Sequence, residues 1–208
     1  MTTRVIEVDP GRFDRWMAGF AERHGTYDAA GETTPGGVVV SARAADGSTV
    51  VATPFAHEPL GVILVRRGGY AVGLASGGAF TASKVGTRHV QSRTAAGGWS
   101  QQRFTRRRGK QADELVDAVV GHARRVLLGD DESPATGADG IPHGLVVGGD
   151  RTLVREVLDA GALRALAGLP MRELYDLPDP KRDVLERALR RGRAVRIELD
   201  EAAPGAVS

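Results

Sequence analysis

The stretch "LGVILVRRGGYAVGLASGGAFTASKVGTRHVQSRT", Leu60 to Thr94, constrains the fold more than any other part of the chain. Apolar runs at Val62–Val65, Tyr70–Leu74 and Phe80–Lys84, and a fourth run at His89–Arg93, are separated by glycine-rich pieces of a few residues. Such pieces are too short for a crossover, so neighbouring strands must run antiparallel and the stretch predicts a meander. The segment before it, "GVVVSARAADGSTVVATPF", predicts a β-hairpin, because Asp46-Gly47 is a turn dipeptide between two β-branched runs.

Helical periodicity flanks these strands. In "VDPGRFDRWMAGFAERHG", Asp9 is placed to cap a helix and Pro10 to occupy its first position. Phe13, Trp16, Met17 and Phe20 then form one apolar stripe, and Gly25 can end the helix. "TYDAAGETTPGG" reads as a loop. A long helix is predicted from about Gln101 to Leu128, with Ala112, Leu115, Val116, Val119, Val120, Ala123, Val126 and Leu127 on one side. After the acidic loop "GDDESPATGADGIPH", the chain alternates. "GLVVGGD" reads as a short buried strand, "RTLVREVLDAGALRALAG" as a helix broken at Gly161, and "MRELYDL" as a strand. "PKRDVLERALRRGR" reads as a helix and "AVRIELD" as a last strand or a helix extension. Antiparallel strands followed by βα units predict an α/β (α+β) fold, a mixed sheet with helices packed on its faces. An RNase H-like three-layer fold has this order. By sequence, residues 1–55 form an extension of one helix and a hairpin, residues 56–200 the main domain, and residues 201–208 a flexible tail.

Charge is distributed unevenly. Ten of the 28 Lys and Arg residues lie between Pro59 and Ala112, whereas all 26 Asp and Glu residues lie outside that window. The remainder of the chain is therefore net acidic, and the basic block points to a polyanion partner or to a solvated charged face. The absence of cysteine excludes disulfides, thiol catalysis and cysteine-ligated zinc. The start, "MTTRVIEVDPGRF", has no signal-peptide core, and no run approaches the length of a membrane span. The expectation is a cytoplasmic monomer without membrane contact or cofactor.

Several chemistries lack their residues. A two-metal nuclease needs carboxylates at strand ends, and the meander has none. His24, His57, His89, His122 and His143 have no metal-ligand spacing, so no metal is expected. Neither a nucleophile elbow nor a P-loop is present. "VVGGD" ends a strand and opens a helix, which reads either as a tight turn or as an anion site.

The densest chemistry lies in "RTAAGGWSQQRFTRRRGK", Arg93 to Lys110. Gly97 and Gly98 free the backbone, and Ser100 is a natural cap that places Gln101 and Gln102 in a first helical turn, among free N–H groups. Arg103, Arg106, Arg107 and Lys110 form a basic stripe opposite the apolar one, suited to a phosphate backbone. Trp99 can stack on a base. A glutamine is no acid or base near neutral pH, but it can orient water and donate to developing negative charge. The same residues also fit a glycine loop, a helix cap and a solvated arginine face.

"GGWSQQRFTRRR" resembles the GGQ-bearing segment in the middle domain of eukaryotic and archaeal class I release factors, where Gly-Gly-Gln leads into a helix with Arg-Phe and further arginines. The likeness is closer to the actinobacterial branch of the Vms-like release factor (VLRF) family, carried by "KVGTRHVQSRTAAGGWSQQRFTRRRGKQADELVDAV", Lys84 to Val119. The resemblance implies that residues 56–200 are a release-factor middle-domain-like catalytic domain. It also implies a codon-independent peptidyl-tRNA hydrolase of ribosome rescue and quality control, whose partners are the large ribosomal subunit and peptidyl-tRNA. The implied catalytic set is Gly97, Gly98 and Gln101, with Gln102 as the alternative amide. The implied RNA-binding set is Lys84, Arg88, Arg93, Trp99, Arg103, Arg106, Arg107, Arg108 and Lys110. In an ungapped alignment on the glycines, Trp99 stands where the family's glutamine would be. A binding adaptor without chemistry is therefore the competing expectation.

Overall fold

The computed structural model describes residues 2–87, 100–129 and 140–202, and only the backbone of Thr2 and residues 100–110. The chain divides into two units, one of residues 1–56 with 190–208, the other of residues 57–189.

The first unit opens with β1 (Thr2–Val8). Asp9 then accepts a bond from the Gly11 N–H at 2.9 Å, and Pro10 starts a 3-10 turn that leads into α1 (Phe13–His24). Gly25 ends α1 with φ of 88° and donates to Ala21. Three strands follow, β2 (Tyr27–Thr34), β3 (Gly37–Ala44) and β4 (Thr49–Thr53). The hairpin turn between β3 and β4 holds Gly47 at φ of 88°, and Asp46 accepts from the Ser48 N–H. The sheet is completed from the far end of the sequence by β10 (Val195–Glu201), giving the antiparallel order β1-β10-β4-β3-β2. Met17 and Phe20 of α1 pack on Ala42, Val50, Ala52, Ile197 and Leu199, with Phe13 and Trp16 at the margin.

Several expectations are corrected here. Residues 27–34 form a strand and not a loop, and Thr2–Val8 is a strand that the sequence pattern does not signal. The final segment is a strand, and it pairs in this first sheet rather than with the elements before it. The segment expected as a tail from 201 is in part ordered pairing: Glu201 stands opposite Thr2, and the Ala202 N–H donates to Ser48 Oγ at 3.1 Å.

The second unit contains the predicted meander as β5 (Leu60–Arg66), β6 (Gly69–Ser76) and β7 (Ala79–Thr87). Gly77 and Gly78 join β6 to β7 with φ of 59° and 86°, the backbone of a two-residue type I′ turn that favours glycine. The expected fourth run, His89–Arg93, lies outside the described residues. Then come α2 (Ser100–Ala123), a π-helical turn (Arg124–Leu128), β8 (Gly144–Gly149), α3 (Arg151–Leu158), a 3-10 segment (Gly161–Leu166) and β9 (Met171–Leu174). The last helix, α4 (Arg182–Arg193), crosses the division between the units.

The second sheet has the order β7-β6-β5-β8-β9, antiparallel across the meander and parallel from β5 to β9. β5 and β6 are buried at nearly every position, which is why they read as continuous apolar runs. The predicted stripe of α2 is its core face. Leu115, Val119, Ala123 and Leu127 are fully buried, and Ala112, Val116, Val120 and Val126 pack at their edge. They meet Ile63, Val65, Val72 and Leu74 of the meander and Val154 and Val157 of α3. The mixed α/β architecture read from the sequence is thus present, divided between two sheets instead of gathered in one.

Candidate nucleic-acid interface

The helix α2 begins at Ser100, so Gln101 and Gln102 occupy its first turn. No acidic residue lies in that turn, so no carboxylate of the turn itself offsets the partial positive charge of the helix end. The first N–H groups of a helix have no internal acceptor, and an anion or a developing oxyanion can take them. Positions 103, 106, 107 and 110 share one side of the helix path, whereas Leu115, Val119 and Ala123 fall on the opposite side. Arg108 departs from that basic side by helical phase. Gly97, Gly98, Trp99, Arg88 and Arg93 lie outside the described residues.

Lys84 is exposed on β7, three residues before the strand's last position. Around it the structure gathers residues that sequence reasoning passed over. The Tyr70 ring of β6 lies across Gly86 of β7, where an added Cβ would come within 2.4 Å of the ring. The His122 imidazole of α2 stacks on that ring, with centroids 5.1 Å apart and planes 19° from parallel. One helical turn later, Arg125 Nη2 approaches His122 Nδ1 at 2.8 Å. A guanidinium only donates, so Nδ1 accepts and the ring proton resides on Nε2. Burial holds the His122 pKa below its usual value, and the Arg125 and Lys84 charges lower it further. A lone histidine on a helix carries no signal for this, because Tyr70 and Lys84 are supplied from other elements.

The "VVGGD" segment is a turn and not an anion site. Asp150 Oδ1 accepts from the N–H groups of Thr152 and Leu153 at 3.0 and 3.3 Å, so the chain's own carboxylate fills the α3 N-terminus. Beside α3 lies a cavity of about 320 Å³ with Val154, Leu166 and Met171 in its wall and Arg155, Glu173 and Tyr175 at its charged and polar side. Arg151 covers the Tyr175 ring at 4.4 Å from its centroid. Burial raises the Tyr175 pKa and Glu173 adds to this, against the opposing charges of Arg151 and Arg155. Among the described residues, no three His, Asp or Glu side chains gather as metal ligands, and no helix is long and apolar enough to cross a membrane.

No curated protein sequence matches the chain. Among solved structures, it is similar to the crystal structure of archaeal translation termination factor aRF1, with 13% identity and a TM-score of 0.37 over 83% of this chain. The match spans 60% of that factor's length. The family model described as "Actinobacteria/chloroflexi VLRF1 release factor" (acVLRF1) matches residues 58–198, which takes in the meander, α2 and all the βα elements. The chain belongs to the acVLRF1 release factor family.

Proposed function

We propose that this protein is a ribosome-associated peptidyl-tRNA hydrolase, acting without reading a codon to free nascent chains from stalled large subunits. The observation that carries the reading is the start of α2, where two amide side chains belong to an acid-free first helical turn, at the end of a glycine-containing segment. In the reaction, a water oxygen attacks the carbonyl carbon of the ester that joins the nascent chain to the tRNA's terminal ribose. The carbonyl oxygen takes up negative charge, the ribose oxygen leaves and accepts a proton, and the products are a peptide carboxylate and a tRNA with a free hydroxyl. Gln101, or Gln102, orients the water or donates to the oxyanion, and the free N–H groups of the helix end supply further donors. Gly97 and Gly98 let the chain approach the ester. Lys84, Arg88, Arg93, Arg103, Arg106, Arg107 and Lys110 hold RNA phosphates, and Trp99 stacks on a base. Fixing the ester and water in place supplies much of the rate, and the ribosome shares that work.

The test is release of a labelled nascent chain from large-subunit peptidyl-tRNA complexes by wild type, Gln101→Ala and Gln102→Ala. One variant should lose about 10²–10³-fold in rate, the scale for one oxyanion donor, while still binding the subunit. Trp99 at the position of the family's glutamine favours a second reading, a ribosome-binding adaptor without chemistry. Binding by wild type with no release would establish that reading in place of the first.

A further inference from the structure

We infer that Lys84, His122 and Arg125 form a seat for one phosphodiester of an RNA backbone, and that His122 takes up a proton when the seat is filled. The inference rests on the reading of α2 as the RNA-facing helix, and it adds a contact at the end of α2 far from Gln101, about 30 Å away along the helix.

Three observations support it. First, the donors outnumber the acceptors. Arg125 donates to a neutral imidazole, and among the described residues neither Arg125 nor Lys84 forms an ion pair with a carboxylate. Second, the imidazole is held in place. Its ring stacks on Tyr70, and Tyr70 in turn lies across Gly86, so β6 and β7 fix the ring that Arg125 addresses. Third, among the described residues the groups shown to act on His122 are neutral or positive: Tyr70 from β6, Lys84 from β7 and Arg125 from the turn that extends α2.

Burial, and after it the charges of Arg125 and Lys84, disfavour the imidazolium while no anion is present. A phosphate among the three groups reverses the balance. Its non-bridging oxygens accept from Arg125 and Lys84, and Arg125 turns away from Nδ1. A proton from solvent then binds Nδ1, which donates to the same phosphate. Without the phosphate, a protonated Nδ1 would face the guanidinium donor to donor, so proton uptake and phosphate binding favour one another.

The experiment uses the full chain and a labelled duplex RNA of mixed sequence, long enough to span α2, with affinity measured at constant ionic strength from pH 8 to pH 6. Wild type should tighten as pH falls through the raised His122 midpoint of the complex, by up to about tenfold for each unit that RNA raises the His122 pKa. His122→Gln should show a flatter profile, and Arg125→Gln a weaker one with a smaller salt slope. An identical pH profile in wild type and His122→Gln overturns the inference. The NMR titration of the His122 ring in wild type needs no variant: its midpoint should rise with saturating RNA, and an unchanged midpoint overturns the seat. Inorganic phosphate separates the two sources of the anion. A rise with phosphate alone, and none with RNA, overturns the RNA assignment. Nascent-chain release is read separately, so a chain that hydrolyses nothing can still pass this test, and one that hydrolyses can fail it.

Discussion

At the scale of single residues, the two glycines that close β8 show how a motif that looks chemical can be structural. A Cβ on Gly148 would meet the Leu174 carbonyl oxygen at 2.5 Å, and one on Gly149 would meet the Val65 carbonyl oxygen at 2.0 Å. Gly149 also has φ of 106°, where side chains are strained. That Val65 carbonyl accepts the Asp150 N–H at 2.7 Å, and Asp150 in turn caps α3. Gly149→Ala should therefore destabilise the second unit by about 2–5 kcal/mol, the combined scale of a left-handed backbone penalty and overpacking. Urea unfolding checks this, and an unchanged midpoint would show that the strand end yields at little cost. The expected site, from Gly97 to Lys110, was drawn from residues that are neighbours in sequence. Nothing in the sequence pointed to His122, because its neighbours Tyr70 and Lys84 are brought to it only by strand register and helix packing.

Among the elements, α2 is the most fully readable. Its stripe of apolar residues survives as core because a 3.6-residue period is a local property, and Leu115, Val119 and Ala123 each meet the sheet. The meander is readable for a similar reason, since its turns leave no other pairing. β2 is different. "YDAAGETT" has no alternating apolar residues and is exposed along its length, so it is a strand chiefly because β3 offers it a ladder of hydrogen bonds. β1 escapes notice because its partner, β10, lies at the far end of the chain. The basic side of α2 supports a prediction at this scale. Arg106→Glu with Arg107→Glu should weaken large-subunit binding and reduce its salt slope by about 0.7–0.9 for each phosphate that is no longer neutralised. Binding measured between low and moderate salt checks it. A slope equal to wild type would remove these two positions from the RNA face.

At the scale of the whole molecule, the basic window from Pro59 to Ala112 falls wholly within the second unit, whereas the first unit is built from both ends of the chain. β10 is the closure. It pairs with β1 from Val195 to Glu201 and with β4 from Arg196 to Asp200, and it places Val195, Ile197 and Leu199 in the core beneath α1. Truncation after Ala194 removes those three buried side chains, each worth about 1.5–3 kcal/mol, and leaves β1 with no neighbour. A sum of that size is comparable with the roughly 5–15 kcal/mol that stabilises a typical domain, so the first unit should unfold instead of merely loosening. Hydrogen exchange is the check. Amides of α1, β3 and β4 should lose protection in the truncated chain, and those of β5, β6 and β8, whose ladders contain no β10 residue, should keep it. Full protection of β3 and β4 without β10 would show that the hairpin and α1 hold together unaided. The last strand would then be an accessory to the first sheet and not the piece that completes it.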